Sequence, residues 1–223
     1  MNKEKSLTRF DLLVFIASLM LIVVSVIMMV QGGTLNVNLG ADTKLSWHLV
    51  RSSGIVAYMM LLGSTVWGVF MSAQVVKDWS PGPVSLTMHS TISWLALLLS
   101  LVHALLLLLD DYFTYTLGDL FVPFTGPYRP EAVGLGTLAF WGILIITVSF
   151  WFKKQMGHKA WKWLHYVSYL TFVLVSAHGL FAGTEGTQPG FQILLGMGMA
   201  ATLVLLGIRV VRSTKSPARV ART

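Results

Sequence analysis

The chain has 223 residues, of which 55% are hydrophobic and only 11% charged, and its mean hydropathy is +0.71. Soluble proteins carry about 25% charged residues, so this is the composition of an integral membrane protein. Cysteine is absent, which excludes disulfides, thiolate metal sites, iron–sulfur clusters and covalent c-type haem attachment. The net charge of +7 reports membrane topology rather than nucleic-acid binding, because basic residues sit at the ends of apolar stretches.

Lys3, Lys5 and Arg9 precede an apolar run over 12–30. That run exceeds the 7–15 residues of a signal-peptide core, and no clean Ala-x-Ala site follows, so it is expected to be a first span. A Gly, Asn and Thr-rich loop leads to a second span over 49–73, where Ser52, Ser53, Gly54, Gly63, Ser64 and Gly68 permit close approach of another backbone or a flat cofactor. Ser80-Pro81-Gly82-Pro83 then stops and restarts the chain before a third span over 84–109.

A connection of roughly twenty residues follows, with Asp110, Asp111, Asp119 and three prolines; loops of that length are often functional or mobile. The fourth span is expected over 132–152 and ends in a basic turn with Lys153, Lys154, His158, Lys159 and Lys162. The fifth covers 163–183 and the sixth 190–211, before a basic tail. The expected architecture is therefore one domain, 1–223, an all-α bundle of six transmembrane helices. Too little chain remains for a separate soluble catalytic domain.

With six spans, thirteen of the sixteen Lys and Arg residues fall on the side of the termini. The positive-inside rule then predicts a multi-pass protein of the cell membrane, surrounded by lipid, with both termini cytoplasmic. Trp47, Trp79, Tyr112, Trp151 and Trp161 lie near span ends and read as interfacial anchors.

The third and fifth spans carry the chemistry. Ionisable residues inside a spanning helix are functional candidates, and these two helices hold four: His89 and His103, His165 and His178. The first two are 14 residues apart, close to four turns and about 21 Å along the axis; the second two are 13 apart, about 19.5 Å. Both spans run in the same direction, which matches His89 with His165 near the cytoplasm and His103 with His178 near the exterior. A haem ligated by one imidazole from each helix fits such a pairing, with two haems stacked between the third and fifth helices. Thirteen steps leave His178 about 140° from His165 on an ideal helix, so a kink, a π-bulge or a wide groove is expected, with Ser168, Ser176 and Gly179 as candidate sites. The competing reading is a metal-ion or proton transporter that uses the histidines without haem.

His48 and His158 fall at span ends and are left out of the ligand set. Arg51 is a candidate to bind a haem propionate or to anchor in lipid. Phe172 and Trp94 lie between the two histidine levels, where they pack the core or separate the haems.

The spacing of the four histidines on two spans resembles the ferric reductase-like transmembrane domain, whose superfamily includes ferric reductases and NADPH oxidases. Val50-Arg51-Ser52-Ser53-Gly54, Leu164-His165-Tyr166-Val167-Ser168-Tyr169 and Ala177-His178-Gly179 carry the likeness over roughly 47–183. Gly157-His158-Lys159-Ala160-Trp161 and the prolines around Val122-Pro123-Phe124 and Tyr128-Arg129-Pro130 are similar to small stand-alone bacterial members. The resemblance implies two b-type haems passing electrons across the membrane, as the cytochrome subunit of an oxidoreductase. Only a short tail follows the last span, so FAD or FMN is expected on a separate flavoprotein reductase, with quinol as the other candidate donor. No catalytic residue, terminal acceptor or oligomeric state is assigned.

Overall fold

A computed structural model describes residues 45–73, 80–110 and 112–214. The expected first span, 12–30, the Lys77 loop and the end of the basic tail lie outside the described residues. All the regular elements among the described residues are helical.

The elements are α1 (Leu45–Ser72), α2 (Gly82–Leu106), α3 (Leu117–Phe121), α4 (Pro130–Ser149), α5 (Lys153–Met156), α6 (His158–Ala182) and α7 (Pro189–Thr214), with single 3₁₀ turns over Leu107–Leu109, Phe150–Phe152 and Thr184–Thr187. Five stretches are long and apolar enough to cross a membrane: Leu45–Ser72, Gly82–Leu109, Pro130–Met156, His158–Ala182 and Pro189–Ile208. These correspond to the second to sixth expected spans, and the chain is a multi-pass helical membrane protein.

Two boundaries differ instructively. The fourth span runs on through the 3₁₀ turn and α5 to Met156, and the fifth begins at His158 rather than 163. Hydropathy ended the spans where the lysines begin. A helix, however, continues into the headgroup layer, where lysine stems lie along apolar surface with their ammonium groups in water. The reversal is therefore confined to Gly157, whose φ of +78° suits a residue without a side chain.

Start and stop signals act as the sequence suggests. Pro83 and Pro130 occupy the first turns of α2 and α4, where a missing N–H costs nothing. In the long connection, Asp110 Oδ1 accepts from the backbone N–H groups of Tyr112 and Phe113 at 2.8 and 2.9 Å. Thr116 and Asp119 then form a capping box that opens α3. Trp141 Nε1 donates to the Phe121 carbonyl at 2.9 Å and ties this cap to α4. Hydrogen bonding from Thr116 holds the Asp119 carboxyl below the usual carboxylate range, so it stays ionised at neutral pH.

The helices pack as two couples, α1 on α2 and α4 on α6, with α7 laid against α1 and α6. Small residues set the close approaches. A Cβ at Gly142 of α4 would collide with Thr171 of α6, and one at Gly198 of α7 would press on Tyr58 and Leu62 of α1. The couples meet at a core of Tyr58, Phe172 and Leu195. Leu98, Val173 and Leu203 stay exposed on the perimeter, as helix faces turned to lipid do.

Candidate functional site: two facing imidazole pairs

The two helices that carry the buried histidines pack chiefly on other partners, α2 on α1 and α6 on α4. Their histidine rings meet across the space between them. His89 and His165 have ring centroids 6.0 Å apart with planes at 72°, and His103 and His178 are 6.1 Å apart at 75°. The first pair lies toward the basic turn, the second toward the acidic cap.

Three of the rings are seated in the same way. His103 Nδ1 lies 2.8 Å from the Val50 carbonyl, His178 Nδ1 lies 2.9 Å from that of Ala132, and His89 Nδ1 lies 3.1 Å from that of Ser64. A carbonyl only accepts, so Nδ1 donates and the lone pair of each neutral ring stays on Nε2. Such a contact fixes tautomer and ring plane together, as the outer partner of a metal-bound histidine does.

Four residues beyond each accepting carbonyl stands a glycine: Gly54 after Val50, Gly68 after Ser64 and Gly136 after Ala132. These residues are one helical turn above the carbonyl, on the same face. A Cβ at Gly54 would come within 2.9 Å of the His103 ring, one at Gly68 within 3.0 Å of His89, and one at Gly136 within 2.7 Å of His178. The missing side chains are what let the imidazoles lie on the neighbouring helix and reach its backbone. Gly63 has no such neighbour. The signal was present in the sequence, since Gly54 and Gly68 are spaced as His103 and His89 are, in the reverse order an antiparallel helix requires.

The fourth ring has a different seat. His165 stacks on Trp161 of its own helix, with centroids 4.9 Å apart and planes at 23°. Trp161, expected to be an interfacial anchor, is thus a half-buried part of the site, because its spacing of four residues places it over the turn that His165 occupies. The helix itself is continuous from His158 to Ala182. No π-helical turn within it absorbs the 13-residue spacing. His178 reaches over α4 and His165 lies along α6, so the two leave the helix in different directions and still meet the rings of α2.

Arg51 forms an ion pair with Glu185 and lays its guanidinium over Trp47, 4.3 Å from the ring centre. It faces the cavity at the acidic end, of about 510 Å³, which is also lined by Gly54, His103, Gly136, His178 and Glu185. Between the two histidine levels Phe172 is fully buried and stacks on Tyr58 at 5.8 Å. Trp94 is instead turned to Trp151, at 5.2 Å.

The ring separations can be tested against a ligand. Two imidazole nitrogens bound to one metal ion at about 2 Å each place the ring centroids about 6 to 6.5 Å apart. Both pairs meet that requirement, and an iron porphyrin held edge-on between α2 and α6 fits the donor set. Among the described residues no three His, Cys, Asp or Glu side chains converge as a metal-ion cluster. No known family model matches the chain, and neither a curated protein nor a solved structure does.

Proposed function

We propose that this chain is a transmembrane electron carrier that holds two b-type haems stacked between its third and fifth spans, the helices α2 and α6. The observation that carries the reading is the repetition of one geometry at two depths, with rings 6.0 and 6.1 Å apart across helices that pack chiefly on other partners. One buried histidine commonly finds a carbonyl and has no further role. Four that find seats and still face one another in twos are placed to share an object between them.

In this reading His89 and His165 are the ligands at the cytoplasmic level, and His103 and His178 those at the outer level. Each haem would supply one-electron exchange at its iron. The chain's own residues orient three of the ligands through the Val50, Ser64 and Ala132 carbonyls, which hold the proton of a neutral ring on Nδ1 and leave its Nε2 lone pair available. Phe172 and Tyr58 fill the layer between the levels with side chains, which keeps water out. Arg51 is placed to exchange Glu185 for a propionate at the outer mouth, by the bidentate geometry a guanidinium offers.

The family resemblance makes the chain the membrane cytochrome subunit of a ferric-reductase-like oxidoreductase, with six spans, both termini cytoplasmic, and a flavoprotein or quinol as donor. The transporter alternative calls for a hydrated path between the levels, and the Phe172–Tyr58 layer stands where that path would run.

Purified protein from haem-replete cells is expected to be red, with the α-band of low-spin b haem on reduction and two haems per chain by pyridine haemochrome. His89→Ala and His165→Ala should remove the same redox centre, and His103→Ala and His178→Ala the other. A colourless protein, or loss of one centre by a cross pair such as His89 and His178, overturns the assignment.

A further inference from the structure

Three imidazoles are seated by a neighbouring helix, and the fourth by an aromatic stack built where the chain reverses. Trp161 lies flat on His165. Phe150, from the 3₁₀ turn, meets the same indole at 6.1 Å and 67°. Lys153 of α5 places its ammonium 4.4 Å from the indole centre and 5.7 Å from that of Phe150. The positive φ of Gly157 folds these elements back on one another. Trp161 Nε1 is buried with no hydrogen-bond partner among the described residues. A buried donor left in that state is unfavourable, so the indole is held there by its ring faces and not by its polar edge.

We propose that Trp161 is the positioning residue of His165 and that Lys153, held on the same indole, raises the reduction potential of the centre that His165 helps to bind. This rests on the haem reading. A flat stack fixes the plane of an imidazole as firmly as a carbonyl does, and only one indole separates the ammonium from the ring. Reduction adds one electron to the centre and makes or breaks no ligand bond. A cation fixed nearby therefore favours the reduced form, and it does so more strongly at a membrane boundary than in bulk water, because screening is weaker there. At the other level the balance differs. Arg51 is paired with Glu185, and Asp110 and Asp119 line the same cavity. The asymmetry of charge thus belongs to the seats themselves.

The test uses the full chain in detergent, titrated optically with dithionite and mediators, with low-temperature EPR of the oxidised protein. Lys153→Gln should shift the oxidised-to-reduced ratio of the cytoplasmic-level centre several-fold toward oxidised, tenfold corresponding to about 59 mV for one electron, while the other centre stays put. Lys159→Gln removes the same charge from an exposed position at the start of α6 and should move it less than about twofold. Trp161→Leu should change the EPR signal and potential of that same centre, and Trp161→Phe, which keeps a flat ring, should restore both. Equal shifts from Lys153→Gln and Lys159→Gln, a shift at the wrong centre, or a Trp161→Leu protein with two unaltered centres each overturns the proposal and leaves two-haem binding intact. A colourless wild-type chain sinks the haem reading, and this proposal with it.

Discussion

At the scale of single residues, the glycines decide as much as the histidines. Gly54→Ala adds a methyl group where the His103 ring lies, and Gly68→Ala does the same under His89. Overfilling a packed site costs roughly 1–3 kcal/mol, and here the strain falls on a ring that must keep both a carbonyl and its facing partner. Under the proposed function each substitution should weaken or remove one redox centre and spare the other, with Gly63→Ala as a silent control because none of the described residues lies within 4 Å of a Cβ there. Haem content and a potentiometric titration of the three variants check this, and a Gly63→Ala defect equal to the others would refute it. The facing of the histidines in pairs was legible because nearly the same spacing recurs on two spans. Trp161 was not legible. An aromatic residue at a span end has an interfacial explanation already, and only the contact with His165 distinguishes it from Trp151, which is 64% exposed.

At the scale of elements, α6 shows what helical periodicity alone misses. Thirteen residues appeared to demand a defect, yet the helix runs without a π-helical turn and the two rings take unlike seats, α4 for His178 and Trp161 for His165. Inserting one alanine after Leu170 tests this directly. The change would make the spacing 14, matching α2, and on periodicity alone should improve the site. It instead turns His178 by about 100° relative to His165, away from the Ala132 carbonyl and Gly136. The expected result is loss of the centre held by His103 and His178, with the other retained. An inserted variant that keeps both centres would show that facing direction, not seating, governs assembly. The spans themselves were read correctly to within a few residues for the described part, since their lengths are set by bilayer thickness. Their ends were misjudged where lysines let a helix run on past the hydrocarbon. The cap was readable only as a loop, because its order comes from Thr116, Asp119 and the Trp141 bond to Phe121, contacts that no periodic pattern announces.

At the scale of the whole molecule, the five described spans form two antiparallel couples that meet directly, α1 on α6 and α2 on α4, and through α7, and the basic turn and acidic cap lie at opposite ends. Orientation then follows from charge. The turn with Lys153, Lys154, Lys159 and Lys162 should face the cytoplasm and the cap with Asp110 and Asp119 the exterior. Because the natural chain has no cysteine, single introduced thiols report this without background. Thr125→Cys, exposed on the cap, should react with a membrane-impermeant maleimide on intact cells. Lys154→Cys, exposed in the basic turn, should react only after the membrane is opened. The opposite pattern would invert the molecule, and the direction of electron flow would invert with it: the centre beside Lys153 would face the exterior, and a cytoplasmic donor would meet the acidic mouth first. An anionic donor approaches a basic surface faster than an acidic one, by factors that fall steeply with salt. Under the proposed function, the labelling pattern therefore sets which end of the protein an anionic cytoplasmic donor would meet.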